Sequence, residues 1–252
     1  MKRLPIQSKF TLAILGSVLL LALLLVLWLG PQAYRYLRTR SYRFGKLGEW
    51  FGYTQNHPDW AIQGGARCGN AVFTLPTSGY VGFLWDDSFK FGQRHQGVDI
   101  FGATDAEHPP GPGVTTVMAA YSGYLTRRPD WKSTLAIRIP SDPLKPGRQI
   151  WLYYTHMANA DGSDLIDAAF PPGSAEIYVE AGTQLGYQGN YSGDPGNPTG
   201  VHLHFSIVLD DGDGFLRNEL NIHNTLDPSP YLGLQVNANR AGNKVPVCTS
   251  VP

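Results

Sequence analysis

The sequence predicts a mostly β domain, built from antiparallel strands and preceded by one N-terminal transmembrane helix. Its 252 residues include 29 glycines and 19 prolines, a proportion typical of many short strands joined by turns. Hydrophobic residues make up 42% of the chain and aromatic residues 12%, which is enough to build a core. Charged residues make up only 16%, which argues against a disordered chain.

The first predicted element is a membrane helix over residues 11–29. This stretch holds no charged side chain, and as a helix it would be about 28 Å long, close to the thickness of a bilayer's hydrocarbon core. A cleaved signal peptide is the alternative, but the apolar run is long for one and no clear small-residue cleavage site follows it. Basic residues flank both ends, so charge alone does not give the orientation of the helix.

The charge distribution argues against a nucleic-acid partner. Residues 1–50 carry eight of the 20 Lys and Arg residues and only one of the 20 acidic residues. The rest of the chain is therefore mildly acidic, whereas domains that bind nucleic acid are usually basic. The basic N-terminal end is explained by the membrane segment that it flanks.

Two cysteines, Cys68 and Cys248, lie near the two ends of the predicted outer domain. An even pair in a domain outside the cytoplasm favours a single disulfide, and two buried thiols are the alternative. A disulfide requires the two ends of the domain to meet, which the sequence does not establish.

After the membrane helix, residues 30–65 show no clear periodicity and are predicted to be a juxtamembrane linker with at most one short helix. Residues 66–235 form the predicted main domain, and residues 236–252 a C-terminal tail. Short β-rich runs bounded by Gly, Pro and Asp predict its strands, as in a sandwich or a barrel-like sheet. These runs are Ala71–Leu75, Val114–Ala120, Gly123–Thr126, Leu135–Ile139, Ile150–Tyr154, Ile177–Val179 and Val201–Leu209.

The pair His202 and His204 opens the last of these strands. Residues two apart on a strand point to the same face, so both imidazoles project together while Leu203 faces the core. Two adjacent imidazoles are poor core material because each brings nitrogens that need partners. The pair therefore indicates a metal or catalytic site, although a lone histidine there would more often be structural.

Three further residues extend this pattern. His95 and Asp99 are four residues apart, and His156 directly follows the strand Ile150–Tyr154. Two histidines and one aspartate that leave an open position form a typical catalytic zinc set, whereas structural zinc sites are closed by four protein ligands. Imidazole and carboxylate together suit Zn²⁺, with other divalent metals as alternatives.

The blocks around these residues resemble the M23 family of zinc metallopeptidases, the lysostaphin-like peptidoglycan endopeptidases. The resemblance runs from about Trp85 to Leu232 in five blocks, namely 91–99, 117–123, 153–157, 179–189 and 200–205, and in a closing segment, 227–232. It implies a duplicated-hybrid-motif β fold and one zinc ion bound by His95, Asp99 and His204. It also implies that His156 and His202 do the acid/base work, although the resemblance does not divide the roles of base and acid between them.

The function expected from this resemblance is zinc-dependent hydrolysis of peptide bonds in the stem or cross-bridge peptides of peptidoglycan. Such a substrate places residues 1–10 in the cytoplasm and the catalytic domain outside the cell membrane. A non-catalytic module that binds cell wall or activates other hydrolases is the main alternative, which the complete ligand set disfavours. A peptidase that acts on other peptides or proteins is a third interpretation.

Overall fold

In the computed structural model, residues 6–53, 57–102 and 111–248 are described. The chain begins with a continuous helical segment, made of α1 (Ile6–Arg38), a π-helical stretch (Thr39–Arg43) and α2 (Phe44–Tyr53). The rest is dominated by antiparallel strands, with short helices α3 (Ser229–Leu232) and α4 (Ala238–Ala241) and 3₁₀ turns at Pro58–Trp60 and Ile222–Asn224. This confirms the predicted class, an antiparallel β fold behind one long apolar helix.

Helix α1 is long and apolar enough to cross a membrane, judged by its length and composition. Its large apolar side chains between Ile14 and Trp28 are exposed to the surroundings rather than packed on the protein. Such a surface is stable against lipid and costly in water, since apolar area is removed from water at roughly 25 cal/mol per Å².

Eleven strands lie within the described residues. They are β1 (Ala61–Ile62), β2 (Gly79–Phe83), β3 (Val98–Phe101), β4 (Thr116–Met118), β5 (Gly123–Thr126), β6 (Leu135–Ile139), β7 (Ile150–Thr155), β8 (Ile177–Val179), β9 (Gln184–Tyr187), β10 (Leu203–Leu209) and β11 (Thr225–Leu226). Nine of them form one sheet in the order β1-β2-β3-β10-β7-β6-β5-β8, with β11 paired to β10, while β4 and β9 form a second, two-stranded sheet.

Strand β10 lies at the centre of the large sheet and determines where the site residues fall. It pairs antiparallel with β3 on one side and with β7 on the other. The register puts His204 directly opposite Asp99 on β3 and opposite Thr155, the last residue of β7. Leu203 and Phe205 are fully buried in the core, which fixes the opposite orientation of their histidine neighbours.

Two local differences from the sequence expectation have clear causes. The run Ala71–Leu75 alternates between buried and half-buried residues but is not a strand, because its backbone amides donate to three separate segments: Phe73 to Tyr231, Thr74 to Ala120 and Leu75 to Ala66. Strand β2 escaped prediction because glycine interrupts its alternation. At Gly82 a β-carbon would lie 2.7 Å from the ring of Phe101, so the close approach of the neighbouring strand requires glycine.

The structure continues the N-terminal helix through most of the stretch that the sequence assigns to a linker. Helix α2 packs on the β domain, and the side chain of Trp50 is buried in this contact. The indole of Trp50 donates to the carbonyl oxygen of Gly102 at 3.2 Å, and its ring lies 5.5 Å from that of Tyr80. Phe44 and Phe51 contact Phe83 and Phe101 edge to face. These contacts fix α2 to the domain.

A buried ion pair ties the π-helical stretch to the domain. The side chains of Arg43 and Asp87 are both fully buried, and their charged groups approach to 3.3 Å. Arg38 adds a second cation 3.5 Å from the same carboxylate. Asp87 also accepts a hydrogen bond from the backbone amide of Leu84 at 2.8 Å. This carboxylate therefore joins the helix to the loop that leads towards His95.

The C-terminal segment contacts the same π-helical stretch through Arg43. The guanidinium of Arg43 donates to the carbonyl oxygens of Gly242 and Lys244, at 2.8 and 3.3 Å. A disulfide joins Cys248 to Cys68, with 5.2 Å between their α-carbons, as the sequence predicts. The disulfide shows that the two ends of the domain meet. Of the predicted terminal segments, residues 1–5 and 249–252 lie outside the described residues.

We expect removal of this disulfide to lower the free energy of unfolding by up to about 5 kcal/mol, because it closes a loop across 180 residues. Chemical denaturation of the Cys68→Ser/Cys248→Ser variant and of the oxidised parent protein measures this difference in the free energy of unfolding. Mass spectrometry after alkylation of the denatured, non-reduced protein should find neither thiol labelled. Quantitative labelling of both thiols would contradict the pairing.

Candidate metal centre and catalytic cleft

Three buried side chains converge on one point, where Asp99 of β3 pairs with His204 of β10 and His95 approaches from the loop before β3. Nε2 of His95, Oδ1 of Asp99 and Nδ1 of His204 all lie within 4.8 Å of one another. The individual separations are 3.1 Å from His95 to Asp99, 3.1 Å from His95 to His204 and 2.8 Å from His204 to Asp99. The arrangement offers three ligand atoms to a single cation.

Backbone and carboxylate acceptors fix the ring tautomers of the two histidine donors. Nδ1 of His95 lies 2.9 Å from the carbonyl oxygen of Leu84, and a carbonyl only accepts, so this nitrogen carries the proton. Nε2 of His204 donates to the buried carboxylate of Glu219 at 2.9 Å. In the neutral form of each ring the nitrogen that faces the centre is unprotonated, as a metal ligand must be. Burial lowers the pKa of His204, but Glu219 and Asp99 outweigh it and raise that pKa to about 10, so binding of a metal ion would displace a proton from this ring.

His156 and His202 are held in the same way beside this centre. Nδ1 of His156 donates to the carbonyl oxygen of Tyr191, and Nδ1 of His202 donates to that of Gly200, both at 2.6 Å. The two rings lie 4.5 Å apart, and Nε2 of His202 is 3.8 Å from Oδ1 of Asp99. His156 follows β7 in a left-handed conformation, with φ of 71°, which histidine adopts more readily than most residues.

Burial keeps the catalytic candidates of the site neutral, and neighbouring histidines keep its carboxylate ionised. Burial, together with the neighbouring His202, lowers the pKa of His156 to about 3. Burial likewise lowers the pKa of His202, against the opposing effect of Asp99. Burial raises the pKa of Asp99, but His95 and His202 outweigh it and hold that pKa well below its ordinary value.

The donor set fits a divalent metal ion. Four-coordinate zinc with ligands at about 2.0–2.1 Å places neighbouring ligand atoms roughly 3.4 Å apart, so outward movements of a few tenths of an ångström would seat the ion. One carboxylate and two imidazole nitrogens, each held by an outer hydrogen bond, are the ligands that zinc commonly takes. Three protein ligands leave a coordination position free, as in catalytic sites.

The centre lies in an open cleft rather than in a closed chamber. All five site residues line a cavity of about 540 Å³. It shares His95 and Gln96 with a cavity of about 600 Å³ on one side. It also shares Thr155 and His156 with a cavity of about 340 Å³ on the other side. A chain can therefore lie across the centre and extend beyond it in both directions.

The structure brings together His95, Asp99, His156, His202 and His204, all five of the site residues that the sequence predicts. Sequence reasoning missed Glu219, which lies outside the motif blocks and carries no local signal of its role. It also missed Phe44 and Phe51 of α2, which line the same cavity. Their spacing of seven residues places them on one helix face, but nothing in the sequence shows which surface that face covers.

Compared with protein-family models and with curated proteins, the sequence matches none. Solved structures of M23 proteins resemble it. Lysostaphin from Staphylococcus simulans is 20% identical with a TM-score of 0.36, over 69% of this chain and 54% of that one. The catalytic domain of EnpA from Enterococcus faecalis is 18% identical with a TM-score of 0.36, over 62% of this chain and 95% of that one. Csd3 from Helicobacter pylori is 16% identical with a TM-score of 0.36, over 59% of this chain.

The chain spans about a third of the length of the Csd3 structure and about half that of lysostaphin. The chain is similar to each of these proteins.

We expect the Glu219→Gln variant to bind zinc roughly 10- to 100-fold more weakly, because the carboxylate that orients His204 and raises its basicity is lost. Competition with a chromogenic chelator measures the dissociation constant. Glu180→Gln is the matched control, since Glu180 is exposed and lies outside the cleft. Unchanged zinc affinity in Glu219→Gln would show that this carboxylate has no part in the centre.

Proposed function

We propose that the chain is a zinc-dependent endopeptidase. The observation that carries the proposal is a set of four histidines, each with one ring nitrogen that donates to a fixed acceptor. Three of them direct the other nitrogen at the buried carboxylate of Asp99, and the fourth, His156, lies beside His202. In this proposal His95, Asp99 and His204 bind one zinc ion. His156 and His202 lie beside the position that remains open.

When bound, zinc polarises the carbonyl group of the substrate and lowers the pKa of a water molecule towards about 7. The protein contributes two neutral imidazoles at this position, His156 and His202. One accepts a proton from the attacking water, and a protonated imidazole returns one to the leaving amine. The carbonyl oxygens of Tyr191 and Gly200 hold the two rings in the tautomer that this exchange needs.

The substrate that we propose is a peptide of the cell wall, from the stem or the cross-bridge of peptidoglycan. The motif blocks support this class, and the cleft supports an internal rather than a terminal bond, because it extends past the centre on both sides. A non-catalytic wall-binding or hydrolase-activating module would not need His156 and His202 in addition to a complete metal donor set.

The deciding experiment is a digest. The zinc-loaded full chain in detergent is incubated with muropeptides of defined cross-link, and mass spectrometry identifies the products. We expect a new amino and carboxyl terminus within the peptide, with activity lost on chelation and restored by zinc. Intact muropeptides together with cleaved unrelated peptides would replace the wall substrate by another peptide. No cleavage of either would favour the non-catalytic alternative.

We also propose that residues 11–29 anchor the protein in the cell membrane, with residues 1–10 in the cytoplasm and the β domain outside. The expected result is that mature protein fractionates with the membrane and retains its original N-terminus, because the apolar run has no credible cleavage site. N-terminal sequencing checks this. A mature protein that begins near Tyr34 would contradict the anchor.

A further inference from the structure

A fourth cavity, of about 670 Å³, lies on the same face of the large sheet as the metal donors. The register of β7 and β10 pairs Thr155 with His204 at the metal centre. Four residues along the same two strands, it pairs Trp151 with Val208. Residues separated by an even number of positions on a strand share a face, so Trp151 points to the side of the sheet that holds the centre. Four residues of strand span about 13 Å.

The lining of this cavity, the aromatic pocket, includes three aromatic rings and three charged side chains. They are Trp131, Trp151, Phe215, Arg128, Arg138 and Glu176. Trp131 also lines the cavity that contains Thr155 and His156, so the aromatic pocket adjoins one end of the cleft. A substrate bound at the metal centre can therefore continue along the sheet into this pocket.

Two of the rings are held in place by hydrogen bonds of their own residues. The indole of the buried Trp151 donates to the carboxylate of Asp210 at 2.8 Å. The backbone amide of Phe215 donates to the carboxylate of Asp211 at 3.1 Å, and the amide of Asp211 donates back to the carbonyl oxygen of Phe215 at 2.9 Å. Phe215 is nevertheless 68% exposed. A fixed apolar ring that faces solvent beside a cavity is typical of a ligand contact.

The charged groups of the aromatic pocket are paired. Nε of Arg138 donates to both carboxylate oxygens of Glu176 at 3.1 Å, and its Nη1 donates to Gln149 at 3.0 Å. Nε of Arg128 lies 3.4 Å from a carboxylate oxygen of Asp130. The pocket therefore combines aromatic faces with polar groups whose charges balance, which favours a neutral, hydrogen-bonding ligand over an ionic one.

A pyranose sugar has the matching chemistry. One face of its ring carries C–H groups, which pack on aromatic rings. Its rim carries hydroxyl and acetamido groups, which exchange hydrogen bonds with guanidinium and carboxylate groups. An apolar side chain would use the rings alone and leave the polar rim of the pocket unused.

The distance from the metal centre also fits the sugar of a cell-wall peptide. In peptidoglycan the first residue of the stem peptide is joined to a sugar of the glycan strand. Four extended residues span about 13–14 Å, which is close to the separation of Thr155 and Trp151 along β7. A sugar in the aromatic pocket therefore places the third and fourth residues of its own stem peptide near the centre.

We propose that the aromatic pocket is a subsite for an N-acetylated sugar of the glycan strand, the sugar that carries the stem peptide. The inference rests on the proposed function, and it adds the glycan as a second part of the substrate that the chain recognises. Packing of one sugar face on these rings corresponds to roughly 10-fold in affinity.

The test compares two ligands on the full chain, loaded with zinc and reconstituted in lipid nanodiscs. One is the disaccharide N-acetylglucosaminyl-N-acetylmuramic acid with its stem tetrapeptide attached. The other is the same tetrapeptide with only the lactyl group in place of the sugars. Calorimetry gives both dissociation constants. We expect the ligand with sugars to bind at least about 10-fold more tightly.

Phe215→Ala and Trp131→Ala should reduce this ratio of affinities towards one. Phe91→Ala is the matched control, because Phe91 is 50% exposed and lines neither the aromatic pocket nor the cleft, and it should leave the ratio unchanged. Because Phe215 is largely exposed, its variant decides the question even if Trp131→Ala does not fold.

Equal affinity of the two ligands for the parent protein, or no binding of the ligand with sugars, would overturn the subsite. A ratio that both variants leave unchanged would place the sugar elsewhere and overturn it as well. The muropeptide digest separates these failures from failure of the proposed function. Cleavage with a ratio of one would leave the peptidase intact without the subsite. A ratio that falls in Phe215→Ala, without any cleavage, would support the subsite in a chain that binds cell wall but does not cut it.

Discussion

Replacement of His204 by alanine should abolish zinc binding and peptidase activity together, whereas replacement of His202 should abolish activity while zinc remains bound. His204 directs Nδ1 at the shared point, 2.8 Å from Asp99, so its loss removes one of three protein ligands. His202 is not one of the three converging donors. We therefore expect His202→Ala to retain about one zinc per chain and to lose roughly 10²–10⁴-fold in turnover, the usual contribution of a positioned acid/base group.

Elemental analysis and cleavage rates on the two variants test this difference, and His156→Ala should behave as His202→Ala does. His57→Ala is the control, because this histidine stacks on Trp60 and lines none of the three cavities of the cleft. Zinc loss in His202→Ala with zinc retention in His204→Ala would reverse the assignment. Full activity in all three site variants would refute the metallopeptidase proposal.

The Asp87→Asn variant should be destabilised by about 3–5 kcal/mol, because it leaves Arg43 as a fully buried charge without its partner. Arg38, which is also buried, loses the same carboxylate. Chemical denaturation followed by tryptophan fluorescence measures the change, since Trp50 reports the release of α2 from the domain. We also expect weaker zinc binding, because Asp87 fixes the amide of Leu84, whose carbonyl holds the ring of His95.

Glu49→Gln is the control for this effect, since it breaks an ion pair on the same helix that is exposed to solvent. Exposed pairs contribute about 0–1 kcal/mol, so its stability should stay close to that of the parent. In the double variant Asp87→Asn/Arg43→Met the unpaired charge is removed, and part of the lost stability should return. Equal stability of Asp87→Asn and Glu49→Gln would show that α2 is not held by the buried pair.

The sequence predicts which five side chains lie together because the relevant signals are local. The alternation of side chains along an extended segment correctly places His204 and His202, which directly precedes β10, at the same cavity, with Leu203 in the core. The M23-like blocks supply the order of the remaining residues. That β3 and β7 flank β10 is a matter of long-range pairing, which no local pattern specifies.

The features that escaped the sequence are all long-range. Glu219 reaches His204 from a loop with irregular structure, and a glutamate in such a loop looks like any solvated acid. The docking of α2 depends on Arg43 meeting Asp87 across 44 positions, and on aromatic contacts between separate elements. Such contacts leave no periodic pattern in the sequence. The sequence therefore predicts a linker over residues 30–65, whereas the structure has the packed helix α2 within this stretch.

The continuous helical segment from the apolar stretch to the cleft has a consequence for where the proposed peptidase can act. From Leu29 to Leu47 a helix rises about 27 Å, which sets the height of the cleft when the apolar stretch lies in a bilayer. A flexible tether would sample a broad shell above the surface, but a stiff stalk confines cutting to one layer. The area that one molecule can process is then set by lateral diffusion of its anchor in the membrane.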